Sequence, residues 1–334
     1  MAHLLNPDDR RLTPSELFED WLSVREHASY DRLSREAAEP YRYIWKSWCD
    51  WLGEQRDSVD PFLYTTAATQ EMFRYLRVGP SPSSKRKSKS APTSPITRQR
   101  YGRVLKEIYQ HAVNFGFCTS NPVSDAAIGE APSPTERSAQ VLPPKVFSCI
   151  PQVFPQDPTP YEKRDIAILL MLMDTGMTSG ELRELELGDI RKDFQDPGQF
   201  ILRIDGPRGA QRREISTRGP TGPALHRWLV YRNVMRRDTD VVFVSEKRGA
   251  MQRETLFRLV AKYVALACAH AGVDVPNHVG PGTIRNTAIV RWINSGEPPS
   301  RICLRTGIKD ERTLLFRLQL HLAPSAMKAT AVAQ

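Results

Sequence analysis

Long apolar runs are missing from this sequence. No segment approaches the roughly 20 consecutive apolar residues that a helix needs to cross a bilayer. The first residues, MAHLLNPDDRR, also lack the apolar core of a signal peptide. These absences argue against a membrane-spanning or secreted protein, so we expect a cytoplasmic location, associated with the nucleoid if the partner is DNA.

Cysteine is scarce, and its spacing does not suit pairing. The five cysteines are odd in number, lie far apart, form no CxxC pair and have no histidine nearby at ligand spacing. They are Cys49, Cys118, Cys149, Cys268 and Cys303. Such residues are usually buried thiols. We therefore predict neither a disulfide nor a metal site, and nothing in the sequence suggests a cofactor.

Acidic residues are fewer than basic ones. The 334 residues include 47 lysines and arginines against 38 aspartates and glutamates, a net charge of +9. With 40% hydrophobic and 25% charged residues, the composition is that of a globular protein long enough for two domains. The positive charge favours a polyanionic partner such as nucleic acid but does not prove one.

The stretch 159–190 organises the rest of the chain. Thr159, Pro160 and Glu162 fit the capped start of a helix, with threonine at the N-cap and an acid at the third position. The unbroken apolar run 166–173 then predicts a buried core helix. Gly176 supplies the left-handed residue that ends it.

A second capping box follows directly. Thr178 and Glu181 have the spacing of an N-cap and its reciprocal acid, which predicts that Thr178 caps a new amphipathic helix. Its buried face would consist of Leu182, Leu185 and Leu187.

The N-terminal part is predicted to be helical. A capping box at 13–16 begins the first helix, and further helical patterns cover 34–52, 69–77 and 97–115. The tryptophans Trp45, Trp48 and Trp51 fall on one stripe, which favours core packing over base stacking. Residues 119–143, rich in proline and small polar residues, are interpreted as a linker.

Basic side chains gather at two places in this part. A low-complexity loop carries Lys85, Arg86, Lys87 and Lys89, and the start of the 97–115 helix carries Arg98, Arg100 and Arg103. The loop charges have two readings, a solvated loop or an arm along a phosphate backbone. Positive charge at a helix start does not match the helix dipole, so these arginines favour an external anionic partner.

The C-terminal half contains a hairpin and more helices. Residues 199–219 alternate apolar and polar side chains about a Gly-Pro-Arg-Gly turn, which predicts a β-hairpin. Arg212 and Arg213 would add positive charge to one face of this hairpin. The alternative is that they only protect an exposed strand edge from aggregation. Helices are predicted at 223–237, at 253–271, which begins with Arg253, and after 282.

The pattern TG-x-x-x-x-EL at 175–182, followed by L-x-x-x-DI at 185–190, resembles the first catalytic motif of tyrosine recombinases, the phage-integrase family. In that family an arginine two residues after the glycine clamps the scissile phosphate, and here Thr178 stands in its place. The N-terminal helices likewise resemble the family's core-binding domain, since Ser94-Pro95-Ile96-Thr97, Tyr101 and Asn121-Pro122 recur in its order.

The other signature positions also differ. Where the resemblance implies a lysine general acid on the hairpin this chain has Arg208, and the His-x-x-Arg motif becomes Gly282 and Arg285. Ile308 stands where the family has histidine or tryptophan, and Phe316 replaces the nucleophilic tyrosine. For Arg285 a salt bridge is the alternative, and a DNA phosphate is the preferred partner.

Phenylalanine has no oxygen with which to attack phosphorus, and no tyrosine follows Tyr263, itself on an apolar helical stripe. We therefore expect no catalytic residue and no enzymatic activity. The leading hypothesis is a catalytically inactive, sequence-specific double-stranded DNA-binding protein, acting as an accessory or regulatory factor at an inverted repeat. The alternatives are an active recombinase whose nucleophile is displaced or supplied in trans, and a protein-interaction module that has lost DNA binding.

The resemblance implies a mainly α fold with a small β-hairpin or sheet, in two domains. A helical core-binding domain would span 1–118, the linker 119–143, and an α+β catalytic-like domain 144–334. DNA-binding residues would be Lys85, Arg86, Lys87, Lys89, Arg98, Arg100, Arg103, Arg208, Arg212, Arg213, Arg253 and Arg285. Further expected partners are a second recombinase and other copies of this chain, held on DNA through the C-terminal tail.

Overall fold

A computed structural model of the protein describes residues 12–28, 38–54, 66–78, 93–205, 212–235, 239–246 and 249–322. The predictions for the basic run 85–89, for Arg208 and for the tail lie outside these ranges. The chain forms two compact units, Met1–Arg137 and Ser138–Gln334. The division falls inside the predicted linker, and the assignment of the units as core-binding and catalytic-like domains stays a prediction.

The first unit is built from helices. They are α1 (Pro14–His27), α2 (Glu39–Gly53), α3 (Thr66–Val78), α4 (Pro95–Asn114) and the short α5 (Asp125–Ile128) and α6 (Pro134–Arg137). The predicted capping box begins α1, since the Thr13 hydroxyl accepts from the amide of Glu16 and the Glu16 carboxylate accepts from that of Thr13. Helical spacing thus predicts each long helix, although α2 begins at Glu39 rather than at residue 34.

Aromatic side chains fill the core of this unit. Trp45 and Trp48 are buried, as their spacing predicts. The Trp48 indole donates a 2.8 Å hydrogen bond to the Tyr109 hydroxyl, and the Trp45 indole donates one of 2.7 Å to the Pro14 carbonyl. Each indole N–H therefore has an acceptor, which removes the cost of burying it.

The start of the predicted linker packs on this unit. Ser124 caps α5, Ala127 is buried, and the Asn121 amide donates to the Lys106 carbonyl at 2.8 Å. A four-residue helix has too short a period to be recognised in a sequence. Residues 121–128 are therefore anchored to the first unit rather than free of it.

The second unit combines helices with a small sheet. Its helices are α7 (Pro144–Cys149), α8 (Pro160–Thr175), α9 (Ser179–Glu184), α10 (Thr221–Val234), α11 (Arg253–Ala271), α12 (Pro281–Asn294), α13 (Pro299–Thr306) and α14 (Glu311–Leu318). Its strands are β1 (Ile190–Lys192), β2 (Phe200–Ile204) and β3 (Arg213–Ser216). The mainly helical fold with a small sheet confirms the predicted fold class.

The antiparallel sheet has the order β1-β2-β3, with Leu202 opposite Ile190 on one side and Ile215 on the other. The predicted hairpin supplies β2 and β3. Strand β1 was not predicted, because three residues are too few to establish an alternation.

Helix α8 crosses the core of the second unit and packs against α10 and α12. Its N-cap box at Thr159 and its left-handed Gly176 agree with the sequence prediction. The next helix is shorter than predicted, because the backbone leaves it to pair with residues 240–242: Val242 donates to the Leu185 carbonyl and Leu187 to that of Asp240. Leu187 is consequently half-buried.

Across the described ranges, the helices are all too short or too polar to cross a membrane.

The turn after α8 provides a stability test. Gly176 has φ +67°, and a Cβ there would lie 2.9 Å from Thr306 Cγ2 and 3.1 Å from the Trp292 ring. Gly272 after α11 has φ +65° and open space around it. Both alanine substitutions incur the left-handed penalty of about 1–2 kcal/mol, but Gly176→Ala also overpacks, which costs about 1–3 kcal/mol more. Urea unfolding should show this difference, and equal losses would contradict the tight contact.

Candidate active site and nucleic-acid interface

The first signature position is occupied by a helix cap. The Thr178 hydroxyl accepts from the Glu181 amide at 3.2 Å, while the Glu181 carboxylate accepts from the Thr178 amide at 2.8 Å. Thr178 thus begins α9, as the sequence predicts, and contributes no positive charge. The same cap fixes the position of the Glu181 carboxylate.

Glu181 forms a buried ion pair with Arg213 of β3. The Arg213 Nη1 donates to Glu181 Oε1 at 2.8 Å, and the two side chains are 8% and 6% exposed, respectively. Burial alone would raise the pKa of Glu181, but the hydrogen bonds from Arg213 and the Thr178 amide, with the Arg213 charge, hold that pKa below its ordinary value. The carboxylate therefore stays ionised inside the protein.

The C-terminal turn of α13 accepts hydrogen bonds from two arginines. Arg213 Nε donates to the Arg305 carbonyl at 2.9 Å, and Arg285 Nη2 donates to the Thr306 carbonyl at 2.8 Å. Carbonyls at a helix C-terminus lack partners within the helix and carry partial negative charge, which suits guanidinium donors. Gly307 follows in the left-handed conformation, and a Cβ there would lie 2.6 Å from Arg213 Nη1.

Arg285 is the signature cation that remains, and it lies among other charges. Burial, followed by the positive charges of Arg213 and Arg317, lowers its pKa to about 10 even though Glu181 acts in the opposite direction. Its Nε is buried and has no hydrogen-bond partner within the described ranges. A buried N–H without an acceptor is costly to the folded state.

Three further signature positions, Gly282, Ile308 and Phe316, carry no charge, and the fourth, Arg208, lies outside the described residues. Gly282 is exposed in the first turn of α12, with open space where a side chain would extend. Ile308 is half-buried and helps line a cavity of about 670 Å³ together with Arg213 and Gly307. Phe316 on α14 is 50% exposed.

The tyrosines of the second unit lie on other helices than Phe316. Tyr263 is buried, and burial raises its pKa to about 12, which disfavours the phenolate. Tyr161 stacks under Arg164, and Tyr231 contacts Lys163.

The predicted DNA-binding arginines have different environments. Arg98 donates to the Ile128 carbonyl at 2.6 Å, and Arg103 lies 3.9 Å from Glu107. Arg212 is exposed and pairs with Asp205 at 2.7 Å. Exposed arginines also include Arg100 and Arg253. Their roles in DNA binding stay predictions.

Arg213 does not lie on the exposed hairpin face that the sequence alternation suggested. It turns inward because Glu181 and the α13 carbonyl accept from it. The sequence also did not identify Arg305, which holds the same turn of α13 from its other side by pairing with Asp174. No local pattern links Arg305 to Asp174, since they are 131 positions apart.

The second unit of the chain matches a known protein family. Residues 142–314, just over half of the chain, match the phage integrase family. The chain belongs to the phage integrase family. This match covers α7 to α13 and reaches into α14, so it includes Arg213, Arg285 and Arg305.

Two curated relatives are tyrosine recombinases named XerC. The one from Corynebacterium efficiens is 28% identical over 173 residues, or 48% of this chain and 52% of the relative. The one from Corynebacterium glutamicum is 32% identical over 133 residues, 40% and 39% of the two chains. This integrase-family chain thus spans about half, or less, of the length of these curated relatives.

Solved structures show the same fold at low sequence identity. The Tn1549 transposon integrase in complex with transposon right end DNA has a TM-score of 0.65 and 17% identity, covering 96% of this chain and 98% of the other. The XerH recombinase bound to palindromic difH substrate, in a post-cleavage complex, has a TM-score of 0.64 and 13% identity, covering 96% and 84%.

These findings contradict the expectation that the protein is not an enzyme. The relatives are named as recombinases, which are enzymes. The expectation was wrong in treating the signature residues of one chain as the complete chemistry. Phosphoryl transfer requires a nucleophile and charge stabilisation in the site, and another segment or another protomer can supply either.

The Glu181–Arg213 pair yields a pH-dependent prediction. Glu181→Gln leaves Arg213 buried without a counter-charge, so at pH 7 unfolding should require about 3–5 kcal/mol less. Because the folded pKa of Glu181 is lowered, its stabilisation exists above the unfolded pKa and is lost as pH falls. Urea titrations should therefore show the difference between the two proteins shrinking below about pH 4.

The exposed pair of Glu214 and Arg191 is a matched control, since its atoms also lie 2.8 Å apart. Glu214→Gln should cost less than about 1 kcal/mol. Equal losses for the two variants, or a pH-independent loss for Glu181→Gln, would contradict the ionised buried pair.

Proposed function

We propose that this chain binds double-stranded DNA sequence-specifically as a protomer of a site-specific recombination complex. The observation that carries the proposal is the half-buried Arg285 side chain, whose buried Nε has no acceptor among the residues that the structure describes. A phosphate oxygen is an anionic acceptor of the size and charge that such a donor requires. The net charge of +9 supports a polyanionic partner.

Family membership and the titles of the solved structures support the same partner. The Tn1549 integrase and XerH were solved with DNA, and we extend that partner to this chain as part of the proposal. Two copies related by two-fold symmetry would occupy an inverted repeat. A chromosomal site of this kind would place the protein on the nucleoid.

The strand-transfer step in such a complex needs a hydroxyl from outside position 316. Phe316 offers none, and Tyr161, Tyr231 and Tyr263 pack in other parts of the second unit. We infer that a second recombinase protomer supplies the tyrosine, while Arg285 contributes to the phosphate clamp. An alternative is Ser300, which lines the cavity beside Arg213.

DNA affinity measured across a salt series tests the phosphate contact. Arg285→Gln should weaken binding to the preferred genomic fragment and reduce the slope of log affinity against log salt by about 1, because one fewer counterion is released. The matched control is Arg291→Gln on the same helix. Arg291 donates to Ser148 at 2.9 Å and lies over Phe147, so its removal should leave the slope unchanged. Identical slopes for both variants would contradict the contact.

Covalent trapping on suicide DNA substrates tests the origin of the nucleophile. The chain alone should form no denaturation-resistant adduct, and adding a co-expressed recombinase of the same host should produce one on that partner. Arg285→Gln in this chain should reduce the yield. Mass spectrometry of the adduct identifies the attached residue, and attachment to Ser300 of this chain would establish the displaced nucleophile instead.

A further inference from the structure

Arg305 and Asp174 form a second buried ion pair behind the candidate phosphate site. Arg305 Nη2 donates to Asp174 Oδ1 at 2.7 Å, and the side chains are 9% and 14% exposed, respectively. The same nitrogen also donates to the Asp174 backbone carbonyl. The pair therefore joins the last turn of α8 to the last turn of α13.

Other contacts fix both partners in place. The Arg305 guanidinium lies 4.2 Å from the centroid of the Trp292 ring on α12, and its Nη1 is 3.8 Å from Glu297. The Arg218 amide donates to Asp174 Oδ2 at 2.7 Å. Burial raises the pKa of Asp174, although the Arg218 amide and the Arg305 charge oppose that shift. Side chains from α8, from α12 and from the segment between α12 and α13 thus meet at one guanidinium.

The backbone of Arg305 connects this pair to the site. Its carbonyl accepts from Arg213, and the carbonyl of the next residue, Thr306, accepts from Arg285. The Arg305 side chain therefore fixes the last turn of α13 through its pair with Asp174. The backbone carbonyls of that turn orient the side chains of Arg213 and Arg285. Moving that turn would move both acceptors, and an error near 1 Å in a charged site has large effects.

We propose that Arg305 and Asp174 are positioning residues for phosphate binding, acting through the α13 carbonyls that orient Arg285 and Arg213. This inference rests on the proposed function, because its effect is defined by the DNA phosphate. Neither side chain is itself a DNA contact in this arrangement. The network also gives a physical role to two residues that the family signatures do not include.

A double-mutant cycle on DNA affinity provides the test, using the full chain and the fragment it prefers. Arg305→Met should weaken binding about tenfold, the size of effect expected for one misplaced charged contact. In the Arg285→Gln background the same change should have a smaller effect, because the part that acts through Arg285 is gone and only the part that acts through Arg213 remains. A purely structural role would instead give equal losses in both backgrounds and would overturn the inference.

Two further variants separate the outcomes. Arg164→Met is the matched control, since Arg164 is also a buried arginine paired with an adjacent aspartate, Asp165, and stacked on an aromatic ring. It should lower stability while leaving DNA affinity of the folded protein unchanged. Arg305→Lys keeps the charge but not the planar fork, so it should fold and lose affinity by an intermediate factor.

The outcome for Arg285→Gln alone distinguishes the two proposals. If that variant binds as tightly as the unsubstituted protein, both the phosphate contact and the positioning role are overturned. If it binds more weakly but shows no coupling to Arg305→Met or Arg305→Lys, only the positioning role is overturned.

Discussion

The buried ion pair between Glu181 and Arg213 holds the candidate site together. It joins the capped start of α9 to strand β3, and through Arg213 it reaches the end of α13. A buried pair of this kind is tolerated only when each partner has further hydrogen bonds. Here the Thr178 amide and the α13 carbonyl provide them. The helix cap, the hairpin and the α13 turn therefore depend on one another.

This dependence holds the site residues in place without the family's signature side chains. Thr178 serves the cap, and the Arg285 guanidinium is held by a backbone carbonyl rather than by a neighbouring signature side chain. Main-chain acceptors stay in place as long as the helix does. The contacts that hold Glu181, Arg213 and Arg285 are thus separate from the signature positions Gly282, Ile308 and Phe316.

The residues at the signature positions do not by themselves decide whether the protein takes part in an enzymatic reaction. The family's signature side chains are absent at Gly282, Ile308 and Phe316, in the sequence and in the structure. They describe the chemistry available from one chain. In the proposed function another protomer supplies the hydroxyl that Phe316 lacks, so its absence from this chain does not exclude an enzymatic complex.

The sequence by itself determined the long helices, several of their caps and the resemblance to the family. The capping boxes at Thr159 and Thr178 and the left-handed Gly176 could be recognised because their signals lie within a few residues of one another. Only the tertiary structure decided that Arg213 faces inward, that residues 185–187 leave the helix to pair with 240–242, and that Arg305 meets Asp174. Those outcomes depend on partners far apart in the chain, whose contacts arise when α8, β3 and α13 pack together and leave no trace in local periodicity.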